Sequence, residues 1–426
     1  MGWASWMLRA ILACAWIGLA PVAEAVLTGP VCVSVGEEDE RRLTGRLEEV
    51  EGQRVLYLWG TPLSQGYAEG YLLAAEIQAG LSEFVFGEAG NINPKLWNGA
   101  LRSLFQTRIR LGPTTNARIK GVVKGIAAKL SKEEQAFPQL GRPLDELDFV
   151  GVLALIDLAG FLCSSYVAWG EVLEEGTGPM VGRNLDYRTS RTMGDSTLVK
   201  VHMDHGKQGA WVELGWPGFM GCLTGISEHG VSVAIHDVSA RAPAGQDRLT
   251  PRAASLAMLM DGIGSNEGLP DRAAEMLRKH HFGFGMNAML AWTGDSPGGA
   301  VLEVDTDFER DQGVSVRGPD GRPFVACSNH HRLRVVPYEC SRYATLESGC
   351  VAVLDLESDP LELETGWQLI CRASKASTIY RCIFDLEGGA LRFQRRSRPG
   401  GPMIEAVELN WRTLLQRGNK LREVLR

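Results

Sequence analysis

The stretch DLAGFLCSSYVAWGEVLEEGTGPMVGRNLDY, residues 157–187, is the part of the sequence that decides the fold. In it, Cys163 begins one strand-like segment, and residues 179–185 form a second one after a short polar loop. We expect the two segments to pair as a hairpin, because consecutive strands are usually neighbours in a sheet. A hairpin at this point would bring Cys163, Arg183 and Asp186 into one small volume.

The residues of this hairpin suit a nucleophile that is exposed by a chain cut. A cut between Leu162 and Cys163 would place the thiol beside its own new α-amine. The pKa of an α-amine is about 7.7–8.0 and that of a thiol about 8.5, so the amine can serve as the base near neutrality. The guanidinium of Arg183 would favour the thiolate, and the carboxylate of Asp186 would orient a protonated amine. The alternative is an inert buried cysteine beside a weak surface ion pair.

The chain on either side of this hairpin differs in its hydrophobic pattern. Residues 26–162 carry an early strand at 54–59 and then helical periodicity at 66–77, 97–111, 117–130 and 144–162, the last predicted helix ending directly at Cys163. Later strands are predicted at 197–203, 210–214, 230–235, 287–292, 300–305 and 323–327, and later helices at 251–263, 270–280 and 341–347. Strands and helices in consecutive blocks predict a layered α+β body rather than alternating βαβ units.

Length and charge limit the classes of function. The chain has 426 residues, of which 45% are hydrophobic and 22% charged, and its formal net charge is −7. This length and composition suit a globular protein with a sizeable core. The acidic balance provides no basic field for nucleic acid or anionic lipid, so we expect no nucleic-acid partner.

The first 25 residues predict a signal peptide. Arg9 provides a positive charge, residues 10–20 are apolar, and residues 23–25 read A-E-A, which is a typical cleavage site. The alternative, a lipoprotein signal at Cys14, leaves almost no apolar segment before the cysteine. No later segment is long and apolar enough to span a membrane. We therefore expect an exported protein, either secreted or periplasmic, with no membrane span.

Nine cysteines occur in the chain, and eight remain after removal of residues 1–25. In an oxidising compartment they are candidates for disulfides, and Cys340 with Cys350 and Cys371 with Cys382 are the close pairs in sequence. Buried free thiols are the alternative, and the sequence does not decide between the two.

Several segments in order resemble one protein family. They are CSSYVAWG (163–170), GRNLDY (182–187), GTPLSQGYAEGYLLAAEI (60–77), LTGISEHGVSVAIHDV (223–238), AVLEVD (300–305), CSNHHR (327–332) and CSRYATLE (340–347). Together they resemble the self-cleaving N-terminal-nucleophile hydrolases of the isopenicillin-N acyltransferase-like family, whose relatives include bile-salt hydrolases, penicillin V acylases and acid ceramidase. The resemblance implies a four-layer αββα sandwich preceded by a mainly helical pro-segment.

The resemblance also implies roles for single residues. Cys163 would be the nucleophile, exposed by autocleavage after Leu162, with its α-amine as general base. Arg183 and Asp186 would tune and orient that pair. Asn329 matches the asparagine whose side-chain amide donates to the oxyanion.

Two further positions concern the support of the site and its second oxyanion donor. Arg342 matches an arginine that supports the site from the following helix. Bile-salt hydrolases carry an asparagine at a place where this chain has His236 and Asp237. The second oxyanion donor is therefore expected to be either a backbone N–H or His236.

The other histidines and two tryptophans have competing interpretations. His202, His205, His280, His281, His330 and His331 lack the spacing of metal motifs, so we expect no metal site and no cofactor. Trp211 and Trp216 are either core residues or part of an acyl pocket.

The sequence thus predicts an exported zymogen that cleaves itself. Residues 1–25 would be the signal peptide, residues 26–162 a retained N-terminal chain, and residues 163–426 the catalytic chain. The predicted activity is hydrolysis of a small-molecule N-acyl amide through a thioester. The alternatives are an acyltransferase that passes the acyl group to an amine, and an inactive secreted binding module on the same fold.

Overall fold

The structure, a computed structural model, describes most of the chain after its N-terminus. The described residues are 31–35, 42–87, 90–187, 191–203, 209–239, 248–306, 310–334, 339–356, 358–397 and 401–424. The predicted signal peptide, residues 1–25, lies outside them. None of the helices within these ranges has the length and apolar composition needed to cross a bilayer.

The strands are short and mostly buried. They are β1 Val31–Val35, β2 Arg42–Val50, β3 Gln53–Leu58, β4 Leu162–Ala168, β5 Met180–Asp186, β6 Leu198–His202, β7 Trp211–Gly215, β8 Thr224–Ser227, β9 Val231–Val238, β10 Gly285–Trp292, β11 Gly298–Val304, β12 Val314–Arg317, β13 Phe324–Cys327, β14 Thr378–Asp385, β15 Ala390–Arg395 and β16 Val407–Asn410.

The helices fall into an N-terminal block, a central pair and a C-terminal group. They are α1 Pro62–Leu72, α2 Ala74–Leu81, α3 Pro94–Leu96, α4 Arg102–Arg108, α5 Pro113–Lys129, α6 Lys132–Gln135, α7 Glu146–Ala159, α8 Arg191–Asp195, α9 Arg252–Gly262, α10 Asp271–Arg278, α11 Ser341–Leu354, α12 Leu363–Arg372 and α13 Trp411–Val424. Wider π-helical turns at Ser82–Phe86 and Trp97–Leu101 adjoin α2 and α4.

The strands form two sheets. The ten-stranded sheet has the order β1-β2-β3-β6-β7-β8-β9-β10-β11-β12, and the six-stranded sheet has the order β13-β4-β5-β14-β15-β16. Strands β3 and β6 pair in parallel, with Val55 opposite Val199, so strands from before and after Cys163 share one ladder. The sequence predicted β3 but missed β1 and β2 at the edge of this sheet.

The two sheets pack face to face between two layers of helices. Strand β4 contacts β9 and β11, and β13 contacts β11, across the sheet interface. Helices α11 and α12 cover the six-stranded sheet, whereas α1, α9 and α10 cover the ten-stranded sheet. Strands β5 and β9 are buried along their whole length, which requires cover on both faces. The predicted four-layer αββα sandwich is confirmed.

The predicted hairpin is present as the antiparallel pair β4 and β5. Cys163 lies opposite Leu185, and Ser165 lies opposite Arg183. Successive side chains on a strand point to opposite faces. Cys163 therefore faces the core between the sheets, whereas Tyr166 packs beneath α11 and α12.

The helix before Cys163 ends earlier than predicted. Helix α7 stops at Ala159, and Gly160 adopts the left-handed conformation with φ of 66°, which glycine reaches without a steric penalty. Leu162, predicted as helical, is instead the first residue of β4. The side chain of Leu162 is 44% exposed and Cys163 is 0% exposed, so the bond between them crosses from the surface to the core.

The cysteines with described side chains are all free thiols. Cys163, Cys222, Cys327, Cys350 and Cys382 are buried, and Cys340 and Cys371 are half-buried. Among these seven residues, neither of the pairs that are close in sequence forms a disulfide.

Candidate active site

Arg183, on strand β5, lies beside the thiol of Cys163. Both residues are fully buried, and Nη2 of Arg183 lies 3.5 Å from Sγ of Cys163. Nη1 of the same guanidinium donates to the carbonyl oxygen of Ile235 at 2.7 Å, which fixes the arginine against β9. Burial raises the pKa of the Cys163 thiol to about 12, and the charge of Arg183 opposes that rise. In the uncleaved chain the thiol is therefore protonated.

Arg342 connects Cys163 to Asp186. Its Nη1 donates to the carbonyl oxygen of Cys163 at 2.8 Å and to Oδ2 of Asp186 at 3.2 Å. The hydroxyl of Thr378 donates to Oδ1 of Asp186 at 2.5 Å. Burial raises the pKa of Asp186, whereas Thr378 and Arg342 stabilise its carboxylate. The residue at the start of α11 thus holds the end of β5 beside the start of β4.

Asn329 is hydrogen-bonded to the backbone on both sides of Leu162. Its Oδ1 accepts a hydrogen bond from the Cys163 backbone N–H at 2.6 Å. Its Nδ2 donates to the carbonyl oxygen of Phe161 at 2.9 Å and to that of Asp237 at 2.8 Å. Arg342 Nη2 also donates to Oδ1 at 3.0 Å. The amide predicted to serve an oxyanion is thus engaged by the protein's own backbone.

The sequence interpretation gave no role to Asp237, yet the structure places it at the predicted cleavage segment. Its Oδ2 accepts the Phe161 backbone N–H at 2.8 Å and lies 3.1 Å from Nη2 of Arg252. Burial raises the pKa of Asp237 to about 6, although the Arg252 charge opposes this. Arg252 also pairs with Asp157 on α7 at 3.1 Å. The alternation of side chains along β9 could have indicated Asp237 in the sequence, because Asp237 points to the face opposite His236.

His236 is buried in the core between the two sheets, beside Ser165 of β4. Its Nε2 lies 2.7 Å from the hydroxyl of Ser165, and its Nδ1 lies 3.4 Å from the carbonyl oxygen of Asn287. Burial lowers the pKa of His236 well below its usual value, so the ring is neutral. Both ring nitrogens of His236 are therefore engaged, by Ser165 on β4 and by Asn287 on β10.

Asn287 on β10 is a second residue that sequence reasoning missed. It is fully buried, and its Nδ2 donates to the carbonyl oxygens of Ser328 and His330 at 2.9 and 2.8 Å. These two residues flank Asn329 in the chain. One amide group therefore clamps the backbone on both sides of Asn329.

An open apolar pocket is lined by residues of α2, α7 and the segment 216–219. Its cavity volume is about 60 Å³, and its wall includes Phe84, Met193 and Trp216. Tyr187, next to Asp186 in sequence, stacks on Phe161 with ring centroids 4.5 Å apart and lies 6.4 Å from Phe84. These rings connect the predicted cleavage segment to the pocket.

The two tryptophans with competing interpretations take different places. Trp216 lines the pocket, and its Nε1 donates to the carbonyl oxygen of Met193 at 2.6 Å. Trp211 is a core residue, since it stacks on His202 at 4.2 Å and donates to Asp261 at 3.1 Å. Within the described ranges, no group of three or more His, Cys, Asp or Glu residues has the arrangement of a metal site.

No family model and no curated protein matches the chain. Similar solved structures include a Caenorhabditis elegans ortholog of N-acylethanolamine-hydrolyzing acid amidase, with 15% identity, a TM-score of 0.40, and coverage of 53% of this chain and 93% of that one. A mutant conjugated bile acid hydrolase from Clostridium perfringens has 11% identity, a TM-score of 0.40, and coverage of 58% and 92%. Penicillin V acylase from Agrobacterium tumefaciens has 15% identity, a TM-score of 0.38, and coverage of 55% and 83%. At these values the comparisons assign neither an activity nor a substrate.

Proposed function

We propose that this chain is the precursor of an exported, self-cleaving cysteine amidohydrolase that acts on linear, non-peptide amides. The observation that carries the proposal is that Arg183, Asn329 and Arg342 contact the sulfur, the backbone N–H and the carbonyl oxygen of Cys163. A structural cysteine needs no such partners. A guanidinium beside a sulfur favours the thiolate, and a side-chain amide beside the nucleophile can donate to an oxyanion.

In the cleavage step, the Cys163 thiol adds to the carbonyl carbon of Leu162, and the bond to the Cys163 nitrogen breaks. The product is a thioester between Leu162 and Sγ, and the thiol proton passes to the released α-amine. Water then hydrolyses the thioester. This leaves a carboxylate on Leu162 and a free thiol beside a free α-amine.

In the mature enzyme, the α-amine takes the thiol proton and the thiolate attacks the substrate's acyl carbon. The charge of Arg183, 3.5 Å from the sulfur, favours the thiolate. The Asn329 amide donates to the oxyanion once the Phe161 carbonyl has left it. The leaving amine receives a proton, and water releases the acyl group as an acid.

The pocket supports an apolar acyl group as the preferred substrate part. Phe84, Met193 and Trp216 offer it hydrocarbon surface, and burial of such surface contributes about 25 cal/mol per Å². Tyr187 stacks on Phe161, which precedes Cys163 by two residues, and lies 6.4 Å from Phe84 in this wall. We therefore expect N-acyl amides with extended apolar acyl chains to be better substrates than N-acetyl amides.

Buried ion pairs support retention of the N-terminal piece after the cut. Nζ of Lys200 lies 3.0 Å from Oε1 of Glu69, and Arg118 pairs with Asp261 at 2.9 Å. Each pair joins a residue before position 162 to a residue after it, and all four side chains are buried. Separation of the pieces would take Glu69 away from Lys200 and Arg118 away from Asp261, and breaking buried ion pairs is costly.

Mass spectrometry of the purified protein tests the proposal. We expect two pieces, residues 26–162 and 163–426, with Cys163 as a free N-terminus. Cys163→Ala should remain one chain because the sulfur that attacks Leu162 is absent, whereas the control Cys371→Ala should cleave normally. A Cys163→Ala chain that is cut at the same bond would contradict self-cleavage.

The substrate class needs a separate assay on the cleaved protein. A panel of N-acyl amides that differ in chain length should show release of free acid, fastest for apolar chains. A new amide that forms when an amine is added would instead support the acyltransferase alternative. Cleaved protein that turns over no member of the panel would contradict the proposed substrate class.

A further inference from the structure

Three side chains form a second nucleophile-like group behind Asn329. Cys340 precedes α11, and its Sγ accepts a hydrogen bond from the hydroxyl of Ser328 at 3.5 Å. The Ser328 hydroxyl lies 2.8 Å from Nδ1 of His330, so it links the thiol to an imidazole. A thiol that is hydrogen-bonded to a polar group carrying an imidazole partner is placed to form a thiolate. We call Cys340, Ser328 and His330 the Cys340 cluster.

The environment of Cys340 differs from that of the other described thiols. Burial raises its pKa, but hydrogen bonds from His330, Ser328 and the Tyr343 backbone, together with the Arg342 charge, lower it to about 6. The other half-buried thiol, Cys371, has its pKa raised because burial prevails there. The charged and titratable groups around Cys340 thus include His330 and Arg342, both of which favour the thiolate.

The Cys340 cluster is coupled to the proposed active site through the backbone. Ser328 and His330 are the immediate neighbours of Asn329, and Cys340 stands two residues before Arg342. Arg342 and Asn329 share a hydrogen bond of 3.0 Å. A group attached to the sulfur of Cys340 would displace the hydrogen bonds of Ser328 and His330 and so shift Asn329 and Arg342.

We propose that Cys340 is a modification site that switches the enzyme: its thiolate exchanges with low-molecular-mass disulfides, and the adduct lowers the activity of the site built on Asn329 and Arg342. In the exchange, Sγ of Cys340 attacks one sulfur of the disulfide, a new S–S bond forms, and the other sulfur leaves as a thiolate. A reducing thiol reverses the exchange. The switching half of this proposal rests on the proposed amidase function.

The modification half is tested in the uncleaved Cys163→Ala protein, where the nucleophile is absent. Limited iodoacetamide labelling followed by peptide mass spectrometry compares Cys340 with Cys371 in the same molecule. At pH 7 we expect Cys340 to react about 10-fold faster, because its larger thiolate fraction outweighs its lower intrinsic nucleophilicity. Its rate should level off above about pH 6, whereas that of Cys371 should still rise through pH 8. Equal or slower labelling of Cys340 would overturn the modification site.

The switching half is tested with glutathione disulfide on the cleaved enzyme. Wild type and the control Cys371→Ser should lose amide hydrolysis about 10-fold faster than Cys340→Ser, and dithiothreitol should restore it. Equal rates of loss in all three proteins would overturn the switch and assign the loss to Cys163. If no variant hydrolyses any amide before treatment, the proposed function fails, and the labelling comparison still decides whether Cys340 is a modification site.

Discussion

At the scale of single residues, we propose that the side-chain amide of Asn329 first binds the backbone of the uncleaved chain and later binds the substrate. In the uncleaved chain its Nδ2 donates to the carbonyl oxygen of Phe161, and its Oδ1 accepts from the N–H of Cys163. Both partners belong to the residues that flank Leu162, so the amide holds the bond that we propose is cut. In that proposal, the donor becomes available to a substrate only after Phe161 has moved. One side chain thus serves both the cleavage and the later turnover that we propose.

The hydrogen bonds from Asn287 to the residues on both sides of Asn329 predict how a substitution of Asn287 affects activity. Asn287→Asp keeps the shape but removes the N–H donors, so the buried carbonyls of Ser328 and His330 lose a partner, at about 1–3 kcal/mol each. We expect kcat for amide hydrolysis to fall about 10–100-fold with little change in KM, since substrate binding is not touched. Steady-state kinetics would check this. Asn329→Ala is the comparison and should lose about 10²–10³. A raised KM with normal kcat would assign Asn287 to substrate binding.

The sequence predicted part of the site and could not predict the rest. Cys163, Arg183 and Asp186 were within reach because the two strands that carry them follow each other in the chain. Asn287 on β10 acts across the interface between the sheets, on the backbone around Asn329. Such contacts depend on how two sheets face each other, and no local spacing records that.

At the scale of elements, the join between α7 and β4 determines where the cut would fall. Gly160 ends the helix, and the chain enters β4 within two residues, with Leu162 exposed and Cys163 buried. The helical spacing of residues 144–162 continues past this point in the sequence, so periodicity alone placed the helix end too late. The hairpin of β4 and β5 was predictable because turn residues and strand patterns coincide there.

The close packing of α1 against α5 predicts that Gly121 tolerates substitution by alanine less well than Gly80, which lies outside this contact. A methyl carbon at Gly121 would overlap the carbonyl oxygen of Leu63 and lie 2.6 Å from the nitrogen of Tyr67. Gly121→Ala should therefore cost about 3 kcal/mol and lower the thermal midpoint of the precursor. The control Gly80→Ala, in helix α2 with nothing within 4 Å, should stabilise by about 0.5–1 kcal/mol. Similar midpoints for the two variants would show that the helices can move apart.

At the scale of the whole molecule, two sheets between helical layers follow from the strands that are buried on both faces. The order of strand and helix blocks was enough to predict the αββα class. It was not enough to predict ten strands in one sheet, because β1 and β2 join at its edge and residues 46–50 of β2 are only partly buried or exposed. Because β3 pairs with β6, the ten-stranded sheet contains strands from both sides of the proposed cut.

The buried pairs across the proposed cut predict salt-resistant association. Because Lys200, Glu69, Arg118 and Asp261 are shielded from solvent, 1 M NaCl should leave the two pieces together in size-exclusion chromatography. Glu69→Ala should destabilise by about 3–5 kcal/mol, since it leaves the Lys200 charge without its nearest carboxylate. The exposed pair of Arg417 with Glu48 provides the control, and Arg417→Ala should cost at most about 1 kcal/mol. Pieces that separate in native buffer would argue against retention.

The parallel pairing of β3 with β6 has a consequence for reaction order. While the chain is intact, that pairing forms within one molecule, and folding is independent of protein concentration. Once the Leu162–Cys163 bond is broken, the same ladder joins two molecules, and renaturation becomes a second-order process that slows on dilution. The cleaved protein would thus keep a shape that only its precursor can reach efficiently, and its lifetime would be set by the rate at which it first unfolds.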